Sequence, residues 1–157
     1  MKCEIIILGD EKNLDLLAGA INRKYCEAKA DIKKHNDEKI GECAKNDRLF
    51  FVGHANILKI GGYGFDDLVI HFKDHMTNAS AIFLAGCSSD DSSQQILKNG
   101  FIAATLARNV KTKYADKTVY GTPGPLVLNT QTDELYVEVP LSSGYKKSDV
   151  WVEQKKS

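Results

Sequence analysis

The stretch Arg48-Leu49-Phe50-Phe51-Val52-Gly53-His54-Ala55-Asn56 decides how this chain is read. Its apolar run has no polar face, which suits a strand covered on both sides, and it stops at a glycine followed by an imidazole. Ala81-Ile82-Phe83-Leu84-Ala85-Gly86-Cys87-Ser88-Ser89 repeats the plan with a thiol in place of the imidazole. A third apolar run, Cys3 to Leu8, is rich in isoleucine and is punctuated by Gly9-Asp10.

Between these runs the apolar spacing changes from strand-like to helical. Leu14, Leu17, Ala18 and Ile21 fall on one helical face, as do Phe65, Leu68, Val69, Phe72 and Met76. Asp66 and Asp67 sit where a helix's positive end favours acid, and Ser88 or Ser89 can cap a further helix that begins near Asp90 and Asp91. Another helical stretch is expected from about Phe101 to Asn109. Cys26 to Ile32 reads as a weak, more exposed strand, Asn36 to Lys45 as a short helix or loop, and Ile57 to Gly64 as a hairpin or flap. Lys117 to Tyr120, Leu126 to Asn129 and Leu135 to Val139 read as further strands, followed by a polar tail. Alternating strands and helices predict an α/β fold with a mainly parallel sheet flanked by helices, as a single domain over residues 1–157. Right-handed crossovers would bring His54 and Cys87 to the same rim of that sheet.

The bulk composition narrows the function classes. Among 157 residues, Lys+Arg and Asp+Glu both number 21, so neither general nucleic-acid binding nor a polybasic membrane anchor is indicated. The apolar runs are far shorter than the roughly 20 residues that span a bilayer. Cys3, Cys26, Cys43 and Cys87 lack paired spacing, so free thiols in a reducing compartment are expected, with no zinc site and no cofactor. The start of the chain has no basic leader or cleavable apolar stretch. A cytoplasmic location is therefore expected, or delivery into a host cell without a classical signal peptide.

A thiolate is the attacking form of cysteine, and a nearby imidazole can take its proton and later protonate a leaving amine. A cysteine or a histidine alone at a strand end is more often a packing or hydrogen-bonded residue. The repetition of one plan in two strands favours a catalytic pair of His54 and Cys87. The amides of Ala55 and Cys87 are candidate oxyanion donors, and Asp10 is a candidate for orienting His54 or for capping the first helix. His71 and His75 have a helical spacing that can bind zinc but lack an obvious third ligand. Gly61-Gly62-Tyr63-Gly64 reads as a flap over the site more readily than as a phosphate loop. Arg108, Lys111, Lys113, Lys117 and the pair Lys146-Lys147 are a candidate anion site, although solvated lysines are the commoner reason for such runs.

These two blocks resemble the caspase-like (clan CD) cysteine peptidases, which include caspases, legumain, gingipain, clostripain, separase and the autoprocessing domains of bacterial toxins. Phe51-Val52-Gly53-His54-Ala55-Asn56 is similar to the family's histidine block. Phe83-Leu84-Ala85-Gly86-Cys87-Ser88-Ser89 is similar to its cysteine block, with a Gly-Cys-Ser-Ser core like that of separase. Gly64-Phe65-Asp66-Asp67-Leu68 is similar to a segment of the toxin autoprocessing domains. The resemblance covers about residues 3 to 130. It implies a three-layer caspase-like sandwich, a thiol protease working through a Cys-His dyad and an acyl-enzyme, and a protein or peptide substrate. It also implies an anionic activator such as inositol hexakisphosphate at a basic surface. One departure is Ala55, where the family usually has glycine. Two alternatives stay open: a catalytically silent binding or scaffold module of the same fold, and a Cys-dependent acyl transferase with the same dyad.

Overall fold

A computed structural model of the chain describes residues 2–43, 45–55, 58–88, 106–122, 126–141, 144–148 and 150–154. The elements in order are β1 (Cys3–Ile7), α1 (Lys12–Tyr25), β2 (Asp31–Lys34), a 3-10 turn (Glu38–Gly41), β3 (Asn46–Ala55), β4 (Lys59–Ile60) and β5 (Tyr63–Gly64). They continue with α2 (Phe65–Thr77), β6 (Ala79–Ser88), α3 (Leu106–Lys113), β7 (Thr118–Gly121), β8 (Leu126–Asn129), β9 (Glu134–Leu141), β10 (Gly144–Ser148) and β11 (Val152–Glu153). The main path of the sheet runs β10-β9-β8-β6-β3-β1-β2. Its centre is parallel: β2 on β1, β1 on β3, β3 on β6, and β6 on both β7 and β8. Antiparallel pairing adds β9, β10 and β11 at the periphery and the β4–β5 hairpin at the end of β3.

Strand alternation sorts the core into two layers. Ile5, Ile7, Phe50, Val52, Phe83 and Ala85 pack against Leu14, Leu17, Ala18 and Ile21 of α1. Ile6, Leu8, Leu49, Phe51, Ile82 and Leu84 pack on the other face, against Leu68, Phe72 and Met76 of α2 and Leu106, Ala107 and Val110 of α3. Each of the larger side chains among these (Val, Leu, Ile, Phe, Met), when fully buried, contributes roughly 1.5–3 kcal/mol. The result is the expected α/β architecture, a mainly parallel sheet with helices on both faces, consistent with a caspase-like sandwich. On the α1 face the parallel register stacks an aromatic ladder across three strands. Phe50 and Phe83 lie 4.4 Å apart and Phe83 and Tyr120 lie 4.6 Å apart, in offset-stacked contact.

Several local expectations are corrected. Cys26 to Lys29 is a turn, because α1 runs on to Tyr25 and the chain reverses through Glu27 and Ala28 at positive φ. The second strand is therefore displaced to Asp31–Lys34. The polar tail holds two strands, β10 and β11, and Trp151 packs 5.1 Å from Phe83 and 5.7 Å from Tyr25. Cys3 and Cys26 are not free thiols: they form a disulfide with their Cα atoms 5.8 Å apart. The β1–α1 unit causes this, since a strand and its returning helix bring their far ends together in the core. The capped helix near Asp90 and most of the stretch Phe101 to Asn109 lie outside the described residues, where α3 is seen from Leu106 onward.

Three of the buried polar groups, Glu4, Lys33 and His75, meet at one place in the core. Glu4 is 1% exposed, and its carboxylate accepts hydrogen bonds from Lys33 Nζ and from His75 Nδ1, each at 2.8 Å. The second ring nitrogen of His75 lies 2.6 Å from the Ile40 carbonyl oxygen. His75 is thus committed to holding β1, α2 and the 3-10 turn together, while His71 is exposed against the edge of Tyr63. The two histidines do not act together, and among the described residues no cluster of His, Cys, Asp or Glu is arranged to hold a metal ion.

Candidate active site

Both strands that carry the candidate pair are longer than their apolar runs. β3 continues through His54 to Ala55, and β6 continues through Cys87 to Ser88. The parallel register runs from Asn46 opposite Ala79 up to His54 opposite Cys87 and Ala55 opposite Ser88. Neighbouring strands lie roughly 4.8 Å apart, so the backbones of His54 and Cys87 are direct neighbours at the carboxyl end of the sheet. Cys87 is also in register with Leu126 of β8. The two parallel strands thus bring the predicted residues to one rim.

His54 emerges where the β4–β5 hairpin turns back over the end of β3. Gly61 and Gly62 have φ of +59° and +83°, the positive values a tight two-residue hairpin turn requires. The Gly61 amide donates to the His54 carbonyl at 2.6 Å, and Ile60 is fully buried. A side chain on Gly61 would sit 2.3 Å from the Leu8 carbonyl oxygen, so glycine is required there. The Gly61-Gly62-Tyr63-Gly64 segment is therefore a hairpin anchored to the strand that carries His54.

A cleft of about 320 Å³ opens beside His54, lined by Leu8, Gly9, Asp10, Glu11, His35, Gly61 and Gly62. The carboxylate facing His54 is that of Glu11, with Oε1 3.7 Å from Nε2. Asp10, the expected orienting residue, instead faces His35, with Oδ1 3.9 Å from His35 Nε2. His35 Nδ1 lies 3.1 Å from the Tyr63 hydroxyl, which ties the end of β2 to the hairpin. Neither Glu11 nor His35 stands out in the sequence, because each reaches the rim through a loop of no distinctive spacing. A second groove of about 300 Å³, lined mainly by Leu16, Leu17, Leu126, Val127 and Leu128, runs between α1 and β8.

The remaining expected residues fall as follows. Ala55, a candidate oxyanion donor, lies within β3, in register with both Ser88 and Ile60. Cys87 is likewise a strand residue, flanked on both sides. The predicted basic cluster is partly used for structure. Lys111 donates to the carbonyls of Ala115 and Lys117, closing the end of α3, and Lys117 donates to the Thr77 carbonyl at the end of α2. Lys146 and Lys147 lie on β10. No helix among the described residues is long and apolar enough to cross a membrane. Comparison with protein-family models finds none that matches this chain, and no curated protein matches it closely enough to count as a relative.

Proposed function

We propose that the protein is a caspase-like cysteine endopeptidase in which Cys87 is the nucleophile and His54 the general base and acid. The observation that supports this most is the register of β3 and β6, which makes a histidine and a cysteine direct backbone neighbours at the carboxyl rim of a parallel sheet. Catalytic groups in open α/β sheets gather on that rim. In the proposed reaction, imidazole takes the thiol proton and the thiolate adds to the carbonyl carbon of a peptide. The C–N bond then breaks, the amine leaves with the proton from imidazolium, and a thioester remains. Water, deprotonated by His54, then adds to the thioester carbonyl; the C–S bond breaks, the acid is released, and the Cys87 sulfur recovers its proton from the imidazolium.

The substrate in this reading is a protein or peptide. The lysine contacts above favour a structural use of Lys111 and Lys117 over an inositol hexakisphosphate site. The test is incubation with a peptide library followed by mass spectrometry of the products. Hydrolysed products that vanish in Cys87→Ala and in His54→Ala support the peptidase. Products conjugated to an amine acceptor point to acyl transfer, and an unchanged library, with wild-type Cys87 no more reactive than Cys43, points to a silent module.

A further inference from the structure

Glu11 opens α1 at the N-cap position, where a side chain ordinarily accepts a hydrogen bond from the helix's first amides. Its backbone is extended as an N-cap requires, yet its side chain makes no capping hydrogen bond. The carboxylate folds back over Gly9 instead: a Cβ on Gly9 would lie 2.6 Å from Glu11 Oε2. That path carries Oε1 to 3.7 Å from His54 Nε2. Three features therefore coincide: a cap residue that does not cap, a strand end left bare by glycine, and a carboxylate turned to the candidate catalytic imidazole.

We infer that Glu11 is a positioning residue for His54, one that holds the ring through its Nε2 edge. The inference rests on the dyad reading given above. It assigns to the β1–α1 loop the third group of the site, and it assigns Asp10 to His35. Because the Glu11 and His54 side chains are 54% and 33% exposed, water screens the pair and the effect is modest.

The experiment measures iodoacetamide alkylation of Cys87 in the full chain by peptide mapping, with Cys43 as the internal reference, in wild type, Glu11→Gln and Glu11→Asp. At low salt Glu11→Gln should slow Cys87 about two- to fivefold, Glu11→Asp should recover much of the rate, and Cys43 should not change. The difference should shrink toward nothing in about 1 M salt, which a merely structural loss would not do. If wild-type Cys87 is fast and Glu11→Gln is equally fast, or is slow at every salt concentration, the inference is overturned and the dyad stands. If wild-type Cys87 reacts no faster than Cys43, the dyad reading itself fails.

Discussion

Replacing Glu4 by glutamine tests the polar centre of the fold. The carboxylate is 1% exposed and is the shared partner of Lys33 and His75, themselves 8% and 3% exposed. The amide keeps the shape but removes the negative charge, and it turns an N–H₂ donor toward groups that are donors themselves. Breaking a buried pair by removing one partner costs roughly 3–5 kcal/mol, because the other charge is left uncompensated. Lys33 retains a second carboxylate, Asp31 at 3.3 Å. The lower end, about 3 kcal/mol, is therefore expected, or about 6–12 °C in Tm for a chain of this size. The pH dependence should follow from the same contacts. Burial alone would push the Glu4 carboxyl up, but the hydrogen bonds and charges of His75 and Lys33 outweigh it and hold it below its ordinary value. A depressed folded pKa means that the unfolded chain takes up the proton first. The stabilisation is therefore present above the ordinary carboxylate range and is lost as pH falls through the folded value. Urea unfolding at pH 7 and at successively lower pH measures both effects. A loss under about 0.5 kcal/mol with an unchanged acid limb would refute the reasoning.

Other outcomes follow from the same structure. Gly61→Ala should destabilise the hairpin and displace the end of β3, because its methyl would meet Leu8 at 2.3–2.4 Å from a backbone at positive φ; near wild-type stability with unaltered Cys87 reactivity would count against that packing. Reduction of Cys3–Cys26, which closes a loop with a sequence separation of 23, should lower stability by about 3 kcal/mol. Thiol titration of the unreduced, denatured protein should then find two fewer thiols than cysteines, and a full count would rule the disulfide out. Trp151→Ala should cost about 2–3 kcal/mol, under the roughly 3–5 kcal/mol of a fully buried tryptophan because the ring that covers Phe50 and Phe83 is itself only partly buried, measured as a shift in urea midpoint at constant slope.

The parallel core was legible because strands buried on both faces announce themselves as unbroken apolar runs. Leu49 to Val52 and Ile82 to Ala85 read this way, and their shared ending put His54 and Cys87 on one rim. What stayed hidden was carried by residues whose role depends on distant partners. Glu4 sits inside an apolar run and only its contacts with Lys33 and His75 explain it. Cys3 and Cys26 show no motif, since their pairing comes from the return of α1 alongside β1. Trp151 looks isolated in a polar tail until β11 pairs with β7 and lays it against the aromatic ladder. The neighbour of His54 was displaced by one residue, from Asp10 to Glu11, because the loop after β1 turns Asp10 toward His35.

The most direct measurement is the alkylation rate of the Cys87 thiol relative to Cys43 near neutral pH, in wild type and in His54→Ala. A thiol sharing its proton with an imidazole should react many times faster than Cys43 in the wild type and fall to the Cys43 rate in the variant. Equal rates for the two cysteines in the wild type, or a fast Cys87 indifferent to the loss of His54, would contradict the account.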